Sequence, residues 1–159
     1  MNVKQQLSPF IYKRALQFQS DEISGSILYE YIARRQKDKN NKFAMMEIAK
    51  AERNHYETWK NYTKKDVNPN RGKIFFCKII SRFLGDTFTI KFFEQGENFG
   101  IKELHSIEKE IPEARAIVQE EEEHENLLMA MVDEERLHYI GAVVLGLNDA
   151  LVELTGTIA

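Results

Sequence analysis

The strongest constraint on this chain is one pattern repeated four times. Apolar residues recur alternately three and four positions apart, and each run is interrupted near its middle by acid or by acid plus histidine. The first run is Ile11, Ala15, Phe18, Glu22, Gly25, Tyr29 and Ile32; the second is Met45, Ile48, Glu52, His55, Trp59 and Tyr62. The third is Phe83, Thr87, Ile90, Glu94, Glu97, Ile101 and Leu104; the fourth is Ala114, Ile117, Glu121, His124, Leu128 and Met131. Such spacing keeps side chains on one face of an α-helix and is the core stripe of a bundle. Strand-like alternation is scarce, so the chain is predicted to be all-α.

Local punctuation divides the chain. Ser8-Pro9 reads as an N-cap followed by proline at the first helical position, opening a long helix to about Lys39. Asn40-Asn41 is expected to break it, and a second helix follows from about Lys42 to Lys65. Asp66–Gly72, DVNPNRG, is the clearest loop. Lys73–Leu84 reads as a short crossover helix ending near Gly85-Asp86. A third long helix is expected over Thr87–Glu108, and Ile111-Pro112 opens a fourth that runs through His138. The expected architecture is a four-helix bundle with a long crossover between the second and third helices. At 159 residues the chain is long enough for one domain with a real core. We assign residues 1–138 to that domain and treat 139–159 separately.

Carboxylates in the middle of four core stripes need a compensating charge. Each would cost several kcal/mol if buried without a partner, more than a small domain tolerates. Bound metal is the simplest compensation, and carboxylate with neutral imidazole suits iron or manganese. The order along the chain is Glu22, then Glu52-x-x-His55, then Glu94-x-x-Glu97, then Glu121-x-x-His124. Residues three apart project from one helix face, so both members of each pair can reach one centre. The run Gln119–Leu128, QEEEEHENLL, then divides: Glu121 shares the inward stripe with His124, whereas Glu120, Glu122 and Glu123 read as a solvated face.

A chance origin is the competing explanation. About half a Glu-x-x-His is expected at random from this glutamate content and four histidines, yet three occur. Two of them sit in apolar stripes on separate helices and are matched by central glutamates on the other two. The third, Glu135 with His138, lies about 21 Å further along the fourth helix at 1.5 Å per residue. It reads as a polar helix end, with a secondary metal site as the alternative. Cys77 is the only cysteine, which excludes a disulfide framework and a cysteine-ligated zinc or iron site. It reads as a small buried hydrophobe. The net charge of −3 and the lack of a base-reading motif give no case for nucleic acid.

These residues resemble the ferritin-like domain of the rubrerythrins. Glu22–Ala33, EISGSILYEYIA, is similar to the segment of that family that opens on a ligand glutamate. Met46–Tyr62, MEIAKAERNHYETWKNY, is similar to its second helix, and Phe92–Gly100, FFEQGENFG, carries the extra glutamate typical of the family. The resemblance spans about residues 10–138. It implies two iron ions, with manganese possible, in a non-haem centre that reacts with dioxygen or peroxide. It also implies that one ion exchanges His55 for Glu94 or Glu97. The rubredoxin domain of that family has no counterpart here, which counts against self-contained peroxidase turnover.

The tail, Tyr139–Ala159, carries a second resemblance. It is mostly apolar but holds Asn148, Asp149 and Glu153. GLNDALVELTG is similar to the first transmembrane segment of vacuolar-iron-transporter-type proteins. The two resemblances together imply the cytoplasmic domain of a membrane-tethered protein, a ferritin-like unit linked to an iron or manganese transporter. The alternative is that 139–159 extends the last helix. The expected activity is that of a ferroxidase or peroxidase-type oxidoreductase that binds and oxidises Fe(II). A stand-alone peroxide reductase with an external electron donor and a non-catalytic metal-sensing bundle are the alternatives. A homodimer is expected, because the crossover KIFFCKIISRFLG leaves much apolar surface; the same segment also fits a basic amphipathic helix on an anionic membrane.

Overall fold

The structure is a computed structural model and describes residues 7–93, 107–131 and 145. Among these residues every regular element is helical. Helix α1 spans Pro9–Ala33, α2 spans Lys39–Thr63 and α3 spans Arg71–Leu84. Two further helices are described over residues 86–93 (α4) and 114–131 (α5). The chain divides into two compact units, Met1–Glu125 and Asn126–Ala159. In the second unit the described residues are 126–131, which continue α5, and 145, which is helical. The domain boundary expected at residue 138 lies outside the described residues.

Capping decides where the helices begin. Ser8 caps α1, its hydroxyl accepting from the Ile11 N–H, and the Ser8 N–H donates to the Glu110 carboxylate at 2.9 Å. The first helix stops at Ala33 and not near Lys39 as the sequence suggested. Asp38 is the reason: its carboxylate accepts from the N–H groups of Asn40 and Asn41 at 2.8 and 2.9 Å. The two asparagines therefore occupy the first turn of α2 and do not break a helix. The other end of α2 comes at Thr63, because Lys64 turns into the left-handed region at φ 56°. Asn70 caps α3 in the same way, so that helix starts at Arg71, ahead of the expected Lys73. Gly85 closes α3 at φ 89°, a conformation that favours glycine.

Cross-helix contacts give the register. Tyr12 and Gln19 reach Thr63, Glu22 reaches Trp59, and Gly25 faces Glu52. Rising numbers on α1 meet falling numbers on α2, so the two are antiparallel. The same holds for α2 and α5 with the turn that leads into it, where Tyr62 meets Glu113, His55 meets Glu121 and His124 lies near Glu52. The Gln19 amide closes this assembly at the loop, donating to Lys65 O at 2.8 Å and accepting from Thr63.

One apolar cluster joins Ile11, Ala15, Phe18 and Trp59 to Ile107, Ile111, Ala114, Ile117 and Val118. Phe18 stacks on Trp59 with ring centroids 5.3 Å apart. Further along α1 lie buried Leu28, Tyr29 and Ile32, level with Met45 and Ile48 of α2. There Tyr29 meets Phe93 of α4 edge-on at 5.8 Å. The expected stripes of α1 and α2 are buried, except that Tyr62 is half-buried and hydrogen-bonded to Glu113. Phe83, expected at the head of the third stripe, belongs to α3 and is 81% exposed. Cys77 is fully buried, as expected, and burial pushes its thiol pKa up.

Candidate metal centre

Between the two apolar regions, α1, α2 and α5 each turn carboxylate or imidazole inward. Glu22 comes from the middle of α1, Glu52 and His55 from α2, and Glu121 and His124 from α5. Glu22, Glu52, His55 and Glu121 each present a donor atom, all within 4.8 Å of one another. This group can hold a metal ion. Four of the seven expected ligands therefore form one cluster, and His124 stands at its edge. Glu94, Glu97, Glu135 and His138 lie outside the described residues.

The distances have a definite arrangement. His55 Nδ1 lies 3.0 Å from Glu121 Oε1 and 3.5 Å from Glu22 Oε2. His124 Nδ1 lies 3.8 Å from Glu52 Oε1 and 4.0 Å from Glu121 Oε2. Glu121 thus directs one oxygen toward each histidine. The imidazole centroids are 6.1 Å apart. Both Nδ1 atoms are buried and neither has a hydrogen-bond partner. Glu121 and His55, 3.0 Å apart, form an ion pair when the imidazole is protonated.

The two buried ring nitrogens face carboxylate oxygens and can serve as donors to a cation, His55 within the cluster and His124 at its edge. Metal–ligand bonds of about 2.1 Å meeting at right angles separate neighbouring donors by about 3.0 Å. The His55 side of the cluster matches that spacing. The residues present fit a carboxylate-and-imidazole metal site.

Electrostatics describe the same site without a metal. Burial opposes a charge on His55, but the Glu121 and Glu22 carboxylates more than offset it and push its pKa up to about 11. His124 moves the other way, to about 4, through burial and the positive charge of His55. Burial acts to raise Glu22, yet His55 and the Trp59 N–H together hold it below the usual carboxylate range. Glu121 is raised by burial, partly countered by His55. A proton on His55 therefore does part of the work that a metal ion would do.

Three neighbours shape the cluster. Trp59 Nε1 donates to Glu22 Oε1 at 2.9 Å, fixing that carboxylate while its other oxygen faces His55. Gly25 leaves room for Glu52: a Cβ on residue 25 would lie 2.9 Å from Glu52 Oε2. The third is Glu120, expected on the solvated face. Its side chain is half exposed, but Oε2 reaches His55 Nε2 at 2.9 Å. Stripe spacing missed it because Glu120 lies one residue off the inward row and reaches the ring from outside. The available signal was side-chain length next to a ligand position. Glu122 and Glu123 are exposed, as expected.

Comparison of the chain with protein-family models, with curated proteins and with solved structures gives no match. Among the described residues no helix is long and apolar enough to cross a membrane. The tail segment 139–159, apart from residue 145, lies outside that description.

Proposed function

We propose that the chain is a ferritin-like, rubrerythrin-related domain whose four-helix bundle holds two iron ions and oxidises Fe(II) with dioxygen or peroxide. The observation that carries this reading is Glu121, which directs Oε1 toward His55 and Oε2 toward His124, two histidines whose Nδ1 atoms are buried and have no hydrogen-bond partner. A carboxylate with one oxygen for each of two imidazoles suits a pair of ions better than a single one. Glu22 and His55 would hold one ion, and Glu52 and His124 the other, with Glu121 shared. Glu94 and Glu97, on the expected third helix of the bundle, would complete the set. Iron held there supplies one-electron chemistry between its ferrous and ferric states.

The chain's own groups would serve that chemistry in identifiable ways. Glu120 would accept a hydrogen bond from the Nε2–H of His55, holding that proton on Nε2 and leaving the Nδ1 lone pair for the site. Trp59 keeps Glu22 from rotating away. Phe18 with Trp59 on one side, and Tyr29 with Phe93 on the other, keep water from the carboxylates. Loading neutral ligands requires loss of the second His55 proton, so uptake releases acid. The tail resemblance supports a further proposal: the domain is tethered at the cytoplasmic side of a membrane and serves a linked iron or manganese transporter.

The test is an anaerobic Fe(II) titration of the purified chain, followed by metal counting and absorbance after addition of peroxide or air. Two irons per chain and a new ferric absorption band, both lost in Glu121→Ala, are expected. Stoichiometric binding that survives both Glu52→Ala and Glu121→Ala would move the site elsewhere. Absence of stoichiometric iron in the unmodified chain would overturn the reading.

A further inference from the structure

Helix α3 is apolar nearly all round, but only part of it is covered. Ile74, Cys77, Ile80 and Ser81 are buried. On the other side Phe75, Phe76, Ile79 and Phe83 are exposed, with Phe75 at 68%. Helix α4 continues this surface: Phe92 meets Phe76 edge-on at 5.9 Å, and Phe88, one turn earlier, is also exposed. An exposed aromatic patch of this extent marks an interaction site.

Charge beside the patch has one sign. Arg71, Lys73, Lys78 and Arg82 are the charged residues of α3, and the helix contains no acid. Lys73 turns inward to Asp21 and the Phe93 ring, and Lys78 lies over Tyr31. Arg71, Arg82 and, on α4, Lys91 are exposed. Arg71, Lys78 and Arg82 recur at helical spacing and form a row beside the aromatic face. Asp86, the nearest acid in sequence, is engaged by Ser81 and by Arg35. This positive strip stands on a chain whose net charge is −3.

We propose that the exposed face of α3 and α4 docks on the surface of an anionic lipid bilayer. The helix would lie in the interfacial plane, its phenylalanines entering the acyl boundary and its arginines meeting lipid headgroups. Charge complementarity selects this occupant over a second copy of the chain. An isologous contact would bring the basic strips of two copies, Arg71 and Arg82 included, into one interface, where like charges oppose one another.

The test is co-sedimentation of the full chain with vesicles of phosphatidylcholine alone or with added phosphatidylserine. Binding is expected only to the phosphatidylserine vesicles and is expected to weaken with salt. Arg71→Glu with Arg82→Glu should reduce it more than about tenfold, as should Phe75→Ser with Phe83→Ser. These positions are exposed, so helical circular dichroism and iron stoichiometry should not change. Equal binding to both vesicle types, or binding retained in either double variant, would overturn the proposal. So would absence of binding by the unmodified chain, including the case in which light scattering finds a two-chain species that Phe83→Ser dissociates.

Discussion

Helices α2 and α3 obey the same spacing rule and use it differently. The apolar row of α2 is buried from Met45 to Trp59, with Glu52 and His55 enclosed between its two apolar ends. On α3 the buried row is Ile74, Cys77 and Ile80, while the aromatic row beside it faces outward. Periodicity states which residues share a face; it does not state what covers that face. In α2 the cover is α1 and α5, and polar groups enclosed there face one another. In α3 the second row lacks such a cover among the described residues, and its neighbours are arginines. Equal hydrophobic spacing therefore marks an interior site in one helix and an outward surface in the other.

The most direct way to break this comparison is to truncate one aromatic from each region. Trp59→Ala removes a fully buried ring from the α1–α2–α5 cluster and should cost about 3–5 kcal/mol in denaturant unfolding. Phe83→Ala, at 81% exposure, should stay within about 0.5 kcal/mol. A comparable loss at both positions would mean that α3 is covered in solution.

Acid and base separate the interior region by another route. His55 has a folded pKa raised from 6.5 to about 11, so its stabilisation is complete below about pH 6.5 and is lost as pH rises through 11. His124 is lowered to about 4, so its contribution is present above about 6.5 and is lost as pH falls through 4. The metal-free protein should be most stable near pH 6.5, with slopes approaching about 1.4 kcal/mol per pH unit on either side. Under the proposed function a metal ion would take the place of the His55 proton, so the loaded protein should lose the alkaline slope. Thermal or urea melts across pH 4–10, with and without Fe(II) under anaerobic conditions, measure this. An alkaline slope unchanged by metal would separate His55 from the site.

The interior was legible because helix phase is sequence-local and a polar break inside an apolar row stands out in the spacing. Glu22, Glu52, His55, Glu121 and His124 fall on their stripes, and the structure brings them together without any change of phase. Helix ends were less legible, because capping is a competition between neighbours. Asp38 wins over Asn40-Asn41, and Asn70 starts α3 two residues before the apolar run suggested. Phe83 was placed on the wrong stripe because an apolar residue two positions before a glycine fits the end of one helix as well as the start of the next. Glu120 was hidden because a flexible carboxylate can leave its own stripe, which residue spacing does not encode.

Glu120 offers a finer test of the same interior. Glu120→Ala removes the acceptor from His55 Nε2 and should weaken metal binding by about 10- to 100-fold, the range for partners that orient a ligand histidine. Glu120→Gln keeps an acceptor oxygen and should recover much of the loss. Competition with a chelator indicator measures both affinities. If both substitutions leave affinity unchanged, Glu120 is only a surface ion pair, as the spacing alone implied.

The smallest substitution separates folding from the site most cleanly. Gly25 lies inside α1, where alanine favours the helix by up to about 1 kcal/mol over glycine. A Cβ there would sit 2.9 Å from Glu52 Oε2 and 3.5 Å from the Phe93 ring. The nearer atom is the end of a flexible side chain, so the carboxylate can move and the backbone need not. Gly25→Ala should therefore fold at least as stably as the unmodified chain when metal-free. Its displaced Glu52 should bind metal less tightly, by about tenfold, the loss expected when a ligand is shifted but not removed. Urea melts and chelator competition on the same preparation give the two numbers. Lower stability together with lower affinity would mean that Gly25 serves helix packing. Higher stability together with lower affinity would mean that the glycine is kept for the carboxylate.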